Sequence, residues 1–157
     1  MAGFILCWFI IPRIARAERL LSTPGSGILI LKNKREKVNA MNYLIVIDMQ
    51  VDFISGALGS DRARAIVPKV VELVKDFDGK VIFTRDTHGK NYLRTQEGRN
   101  LPVEHCIQGT PGWQICPELG VYAENIVDKL SFGSISLPRV LAQEGTPESI
   151  TLCGLCT

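Results

Sequence analysis

The sequence predicts an α/β domain built on a mostly parallel sheet, and three observations predict it. Tyr43 to Ile47 is an unbroken apolar run rich in β-branched residues, the kind buried on both faces in a central parallel strand. Val67, Val70, Val71 and Val74 then recur at helical spacing. Lys80 to Thr84 is a second short β-branched run. Strand, helix and strand of this length make a right-handed crossover unit and a parallel pair.

The chain has 157 residues, 46% of them apolar and 22% charged, enough for one domain with its own core. Its net charge of +2 hides an asymmetry. Residues 1–40 hold seven Lys/Arg and two Asp/Glu, whereas residues 41–157 hold eleven and fourteen. The domain is therefore mildly acidic, which excludes a basic nucleic-acid surface. Phe4 to Ile11 is apolar but far short of the about 20 residues that span a bilayer. Arg13 and Arg16 follow that run, whereas a secretory signal has its basic residues first. Residues 1–40 thus read as an extension outside the domain, arising from a mis-assigned start or lacking order. Met41 is the expected true start, two residues before the first strand, and Arg35-Glu36 can be encoded by a purine run of ribosome-binding type. Of five cysteines, Cys153 and Cys156 have C-x-x-C spacing but lie in an apolar strand-like run, so they read as buried or edge thiols. A reducing, cytoplasmic setting is the simplest reading.

The elements follow in order. Asp48 ends the first strand, and Met49 to Phe53 carries Gln50, a second acid at Asp52 and an aromatic. After a glycine-containing loop at 56–60, Ser60 or Asp61 caps a helix over Ala63 to Asp76. The second strand is followed by Arg85-Asp86-Thr87-His88. Gly89 to Gly112 reads as one long polar loop, and loops of that length are usually functional. Trp113 to Leu119 is expected as a short helix, Ile126-Val127 as a third strand ending in Asp128-Lys129, Ser136 to Ala142 as a helix and Ser149 to Leu155 as a fourth strand.

Reactive residues thus stand at the ends of successive strands: Asp48, Asp86 with His88, Lys129, and the Gly154-Leu155-Cys156-Thr157 corner. Parallel strands bring those ends to one edge of the sheet, where open α/β folds take their ligands. Asp86-x-His88 together with His105 forms a plausible divalent-metal set, although D-x-H alone also describes a surface histidine. Lys129 reads either as a solvated lysine or as a positive charge beside a thiolate or developing anion.

Residues 41–157 resemble the isochorismatase-like cysteine hydrolases, and within them the nicotinamidase branch. The carrying motifs are I-D-M-Q-V-D-F, T-R-D-T-H, L-P-V-E-H-C-I-Q-G-T-P-G, V-D-K-L-S-F-G-S and L-C-G-L-C-T. The resemblance implies a three-layer, Rossmann-like α/β/α fold, incomplete at its C-terminus. It implies Asp48 as the acid that takes a thiol proton and Lys129 as the thiolate's counter-charge, with a cysteine that attacks an amide carbonyl and forms a thioester. It also implies Asp86, His88 and His105 as ligands of a divalent metal, zinc or else manganese or iron. Glu97 suits a further ligand position by spacing. Phe53 falls on an aromatic that packs against the substrate ring, and the Leu155–Cys156 peptide falls where the family shapes its oxyanion hole. Leu101 stands where an aromatic is common, and Gly89 where a proline is common. The family's nucleophile follows a Thr-Asp pair, and its position falls three residues beyond Thr157. The 157-residue chain is therefore expected to be poorly stable and inactive. The implied activity of the parent is nicotinamide hydrolysis. The alternatives are hydrolysis of another small amide or a vinyl ether, and a non-catalytic binding remnant. The implied partner is a small-molecule amide, with dimers or tetramers at full length and no nucleic acid or membrane.

Overall fold

The structure, a computed structural model, describes residues 41–143 and 146–155. The expected extension over residues 1–40 and residue Cys156 lie outside the described residues. Four strands, β1 (Met41–Ile47), β2 (Lys80–Asp86), β3 (Ile126–Lys129) and β4 (Pro147–Gly154), form one sheet in the order β3-β2-β1-β4. Every pairing is parallel. The expected parallel α/β architecture is therefore present.

Alternation along β1 sorts its side chains between two cores. Leu44 and Val46 face a layer made with Phe83, Val67, Val70, Val74 and Leu119. Tyr43 and Ile45 face the other side with Ile82 and Val127, covered by Leu137, Val140 and Leu141. Helix α2 (Asp61–Asp76) lies on the first face and α5 (Ser136–Gln143) on the second, which gives three layers. Ser60 starts α2, its hydroxyl accepting from the Ala63 amide at 3.1 Å. Val71 is only partly buried, at the margin of the stripe formed by the other three valines.

Two expectations need correction. No continuous helix runs from Trp113 to Leu119. A 3-10 turn over Pro111–Trp113 and the short helix α4 (Pro117–Gly120) flank an extended Gln114–Cys116. Pro117 holds Cys116 extended, with ψ 147°. The stretch is then tied down by Val51 N–H to Gln114 O and Cys116 N–H to Met49 O, both 2.9 Å. The segment from Gly89 to Gly112 is not one loop either. It holds a 3-10 turn at Tyr92–Arg94 and the helix α3 (Gln96–Asn100), whose cap Thr95 accepts from the Gly98 amide at 3.0 Å. Asp48 to Gln50 separate β1 from the short helix α1 (Val51–Ile54).

β2 and β3 run further than their apolar runs. Asp86 and Lys129 are register partners in the sheet. The polar extension holds because Arg85 pairs in a fork with Asp128, at 2.7 and 3.1 Å, and stacks 3.4 Å over the Trp113 ring. At the other edge Gly154 has φ 124°, and a Cβ there would overlap the carbonyl oxygen of Ile47. Gly154→Ala is therefore expected to destabilise the fold by at least about 2 kcal/mol, read as a lower denaturant midpoint with an unchanged slope. A midpoint equal to the parent's would show that β4 does not need this close approach.

Candidate functional site

The site lies at the carboxyl edge of β1, β2 and β3. Asp48 immediately follows β1 and adopts φ 49°, a left-handed conformation uncommon for any residue but glycine. Its Oδ2 lies 2.7 Å from Lys129 Nζ at the end of β3. Its Oδ1 accepts from the Thr84 hydroxyl at 2.7 Å. Asp48 and Lys129 are 7% and 8% exposed, so the pair is shielded from solvent. Lys129 Nζ also donates to Phe132 O at 3.3 Å.

Beside the pair, Asp86, His88, Glu97 and His105 converge. One ligand atom from each lies within 4.8 Å of all the others. β2 supplies Asp86, the turn after it His88, α3 the half-exposed Glu97, and the far limb of the loop His105. His88 Nε2 lies 2.8 Å from Asp86 Oδ2 yet is buried without an oriented hydrogen-bond partner. The His105 ring Nδ1 is 2.7 Å from Val103 O. A carbonyl can only accept, so Nδ1 donates to it, and in the neutral ring that tautomer turns the Nε2 lone pair toward the cluster. Burial holds the Asp86 carboxyl above its ordinary range; His88 and Lys129 oppose that, while Asp48 and Glu97 reinforce it. An orphaned imidazole nitrogen, a second nitrogen with its lone pair inward and two convergent carboxylates form a donor set that fits a divalent cation.

Tyr92 packs against both imidazoles, at 4.6 Å from His88 and 5.0 Å from His105 between ring centroids, and its hydroxyl donates to Leu101 O at 2.9 Å. Phe53 is buried 5.5 Å from the His105 ring. Leu155, half-buried, donates its N–H to Ile47 O at 2.9 Å, next to Asp48. Cys156, paired with Leu155 in the sequence reading, lies outside the described residues. Thr84 and Tyr92 are site residues that sequence reasoning passed over. A threonine in a β-branched run reads as packing, and nothing local sets Tyr92 apart.

None of the three described free thiols is poised as a nucleophile. Burial pushes Cys106 well above the ordinary thiol range, with Asp86, Asp52 and Asp48 reinforcing it. Burial pushes Cys116 and Cys153 up to about 11.

A parallel sheet that gathers a buried acid–lysine pair and a histidine–carboxylate cluster on its carboxyl edge defines an α/β protein of the class that takes small ligands at that edge. The chain belongs to the isochorismatase domain family, whose match covers residues 42–157. It is 32% identical over 117 residues to the nicotinamidase/pyrazinamidase of Mycobacterium tuberculosis, a match that covers 68% of this chain and 62% of the relative. It is 28% identical over 109 residues to the nicotinamidase of Saccharomyces cerevisiae, covering half of each chain. The pyrazinamidase of Pyrococcus horikoshii, solved in complex with zinc, superposes with a TM-score of 0.61 at 31% identity, covering 74% of this chain and 72% of that one. The chain thus spans about half to three-fifths of the length of these two curated relatives.

Two outcomes are expected. Lys129→Ala leaves Asp48 buried and unpaired and should cost about 3 kcal/mol in denaturant unfolding. Asp48→Asn with Lys129→Met should recover most of that loss; equal losses in both variants would show that the pair is not coupled. Thiols that ionise near 9 when unfolded but only at about 11 when folded hold more protons in the native state between those pH values. Their stabilisation is complete below pH about 9 and fades as pH rises toward about 11. Cys116→Ala/Cys153→Ala should therefore lose stability less steeply than the parent over that window. Parallel curves would contradict it.

Proposed function

We propose that this chain carries the acid–lysine and metal-binding part of a cysteine amidohydrolase site, with nicotinamide as substrate and nicotinate and ammonia as products. The observation that carries the reading is the convergence of Asp86, His88, Glu97 and His105 beside the buried Asp48–Lys129 pair. The relatives' names support the substrate, and the zinc of the Pyrococcus structure supports the metal, with manganese and iron as the other candidates.

In this reading Asp48 accepts the proton of a cysteine thiol, and Lys129 holds positive charge beside the thiolate. Thr84 keeps the Asp48 carboxylate turned toward that position. The thiolate adds to the amide carbonyl, the C–N bond breaks, the proton leaves with ammonia, and a thioester remains. Water, deprotonated by Asp48, then cleaves the thioester to the carboxylate and free thiol. Asp86, His88, His105 and Glu97 would hold the divalent metal, which when bound offers a Lewis-acid point for a ring nitrogen. Phe53 would flank the substrate ring, with Leu155 and Cys156 near the carbonyl. The nucleophile position falls outside the described residues. The free thiols support a reducing, cytoplasmic setting, and no described helix is long and apolar enough to cross a membrane.

Zinc titration followed by nicotinate binding in a calorimeter tests the reading. The protein is expected to take up one metal per chain and to bind nicotinate only when loaded, with His88→Ala abolishing both. Failure to bind zinc, manganese or iron would exclude nicotinamide and leave another small amide or a vinyl ether. Ammonia release from nicotinamide that disappears in Cys156→Ser would assign the nucleophile to Cys156.

A further inference from the structure

Asp52 takes no part in the chemistry above, yet its carboxylate joins three separate segments. Oδ2 accepts the Cys106 N–H at 2.7 Å, and Oδ1 accepts the Ala57 N–H at 3.3 Å. Gly112 lies flat against the same carboxylate, where a Cβ would overlap its oxygens. Cys106 is held at φ 46°, a left-handed conformation that a cysteine does not adopt without restraint. Its two backbone groups are both engaged. The N–H goes to Asp52, and the carbonyl accepts from the His88 N–H at 3.0 Å. The peptide units around Cys106 therefore join the two imidazoles of the cluster: His105 precedes it, and His88 is bonded to it.

We propose that Asp52 is a positioning residue that fixes the spacing of His88 and His105, and so the metal affinity of the cluster, through the Cys106 backbone. The proposal rests on the metal reading. Hydrogen-bonded partners beyond the ligands typically change metal affinity by about 10- to 100-fold when removed. Asp52→Ala removes both acceptors, whereas Asp52→Asn keeps one acceptor oxygen for the Cys106 N–H while giving up the charge and the longer Ala57 contact. Gly112→Ala keeps Asp52 but drives its carboxylate out of place.

Cobalt(II) titration of the purified 157-residue protein, followed by visible absorption, reads both affinity and ligand geometry. Circular dichroism confirms the fold of each variant. Asp52→Ala and Gly112→Ala are each expected to bind cobalt at least about tenfold more weakly, with altered visible bands, and Asp52→Asn to stay within about threefold of the parent. Parent-like affinity in a folded Asp52→Ala overturns the proposal. A loss in Asp52→Asn as large as in Asp52→Ala also overturns it, because charge rather than position would then be responsible. If Asp52→Ala does not fold, Gly112→Ala and Asp52→Asn decide by the same readings. A parent that binds no cobalt overturns the metal reading, and this inference falls with it.

Discussion

The Asp48–Lys129 ion pair is the constraint on which the rest of the site depends. Its partners stand at the ends of β1 and β3, and β2 lies between them. The pair therefore bridges across the central strand rather than between neighbours. A one-residue slip of β1 or β3 would turn its side chains to the opposite face and separate the charges. The cores on the two faces prevent that slip. Tyr43, Ile45, Ile82 and Val127 fill one layer, and the alternate residues fill the other. A buried pair adds little net stability compared with an apolar replacement, because desolvating two charges costs about as much as their attraction returns. What such a pair offers instead is the specification of one register.

The charges of the site divide into two compartments. Asp48 and Lys129 cancel each other at 2.7 Å. Asp86 and Glu97 face the imidazoles of His88 and His105, and burial disfavours the ionised Asp86 although Lys129 opposes it. In the proposed reading, a divalent ion at this cluster would balance the two carboxylates. The two compartments adjoin, since Asp86 and Lys129 are register partners in the sheet. A ligand reaching both would contact the acid–lysine pair and the histidine–carboxylate cluster at the same edge of the sheet.

The fold was largely legible because its signals are local. Tyr43 to Ile47 announces a central strand, and the valines of α2 announce a helix, without reference to anything distant. The extension of β2 to Asp86 was not legible. It rests on Arg85 reaching Asp128 and Trp113, residues far along the chain. The helix α3 was hidden because four polar residues and a glycine behind one capping threonine leave no periodic pattern. Among the site residues, Asp48, Asp86, His88 and Lys129 stood out by residue type at strand ends, and His105 as the chain's one other histidine. Thr84, Tyr92 and Asp52 act through contacts that only the folded chain creates.

Those contacts share one feature. Asp48 and Cys106 are the described non-glycine residues with positive φ, and both lie at the site. Each strained residue is held from more than one side. Asp48 is fixed by Thr84 and Lys129, and Cys106 by Asp52 and His88. Strain of about 1–3 kcal/mol persists only where surrounding bonds over-determine the backbone. One strained residue turns the carboxylate toward the lysine, and the other turns the His105 loop back onto β2. The sheet supplies a rigid edge, and these two turns place the functional groups on it before any ligand arrives. For the proposed amide hydrolysis, a site preorganised in this way would not have to reorganise its dipoles as charge develops.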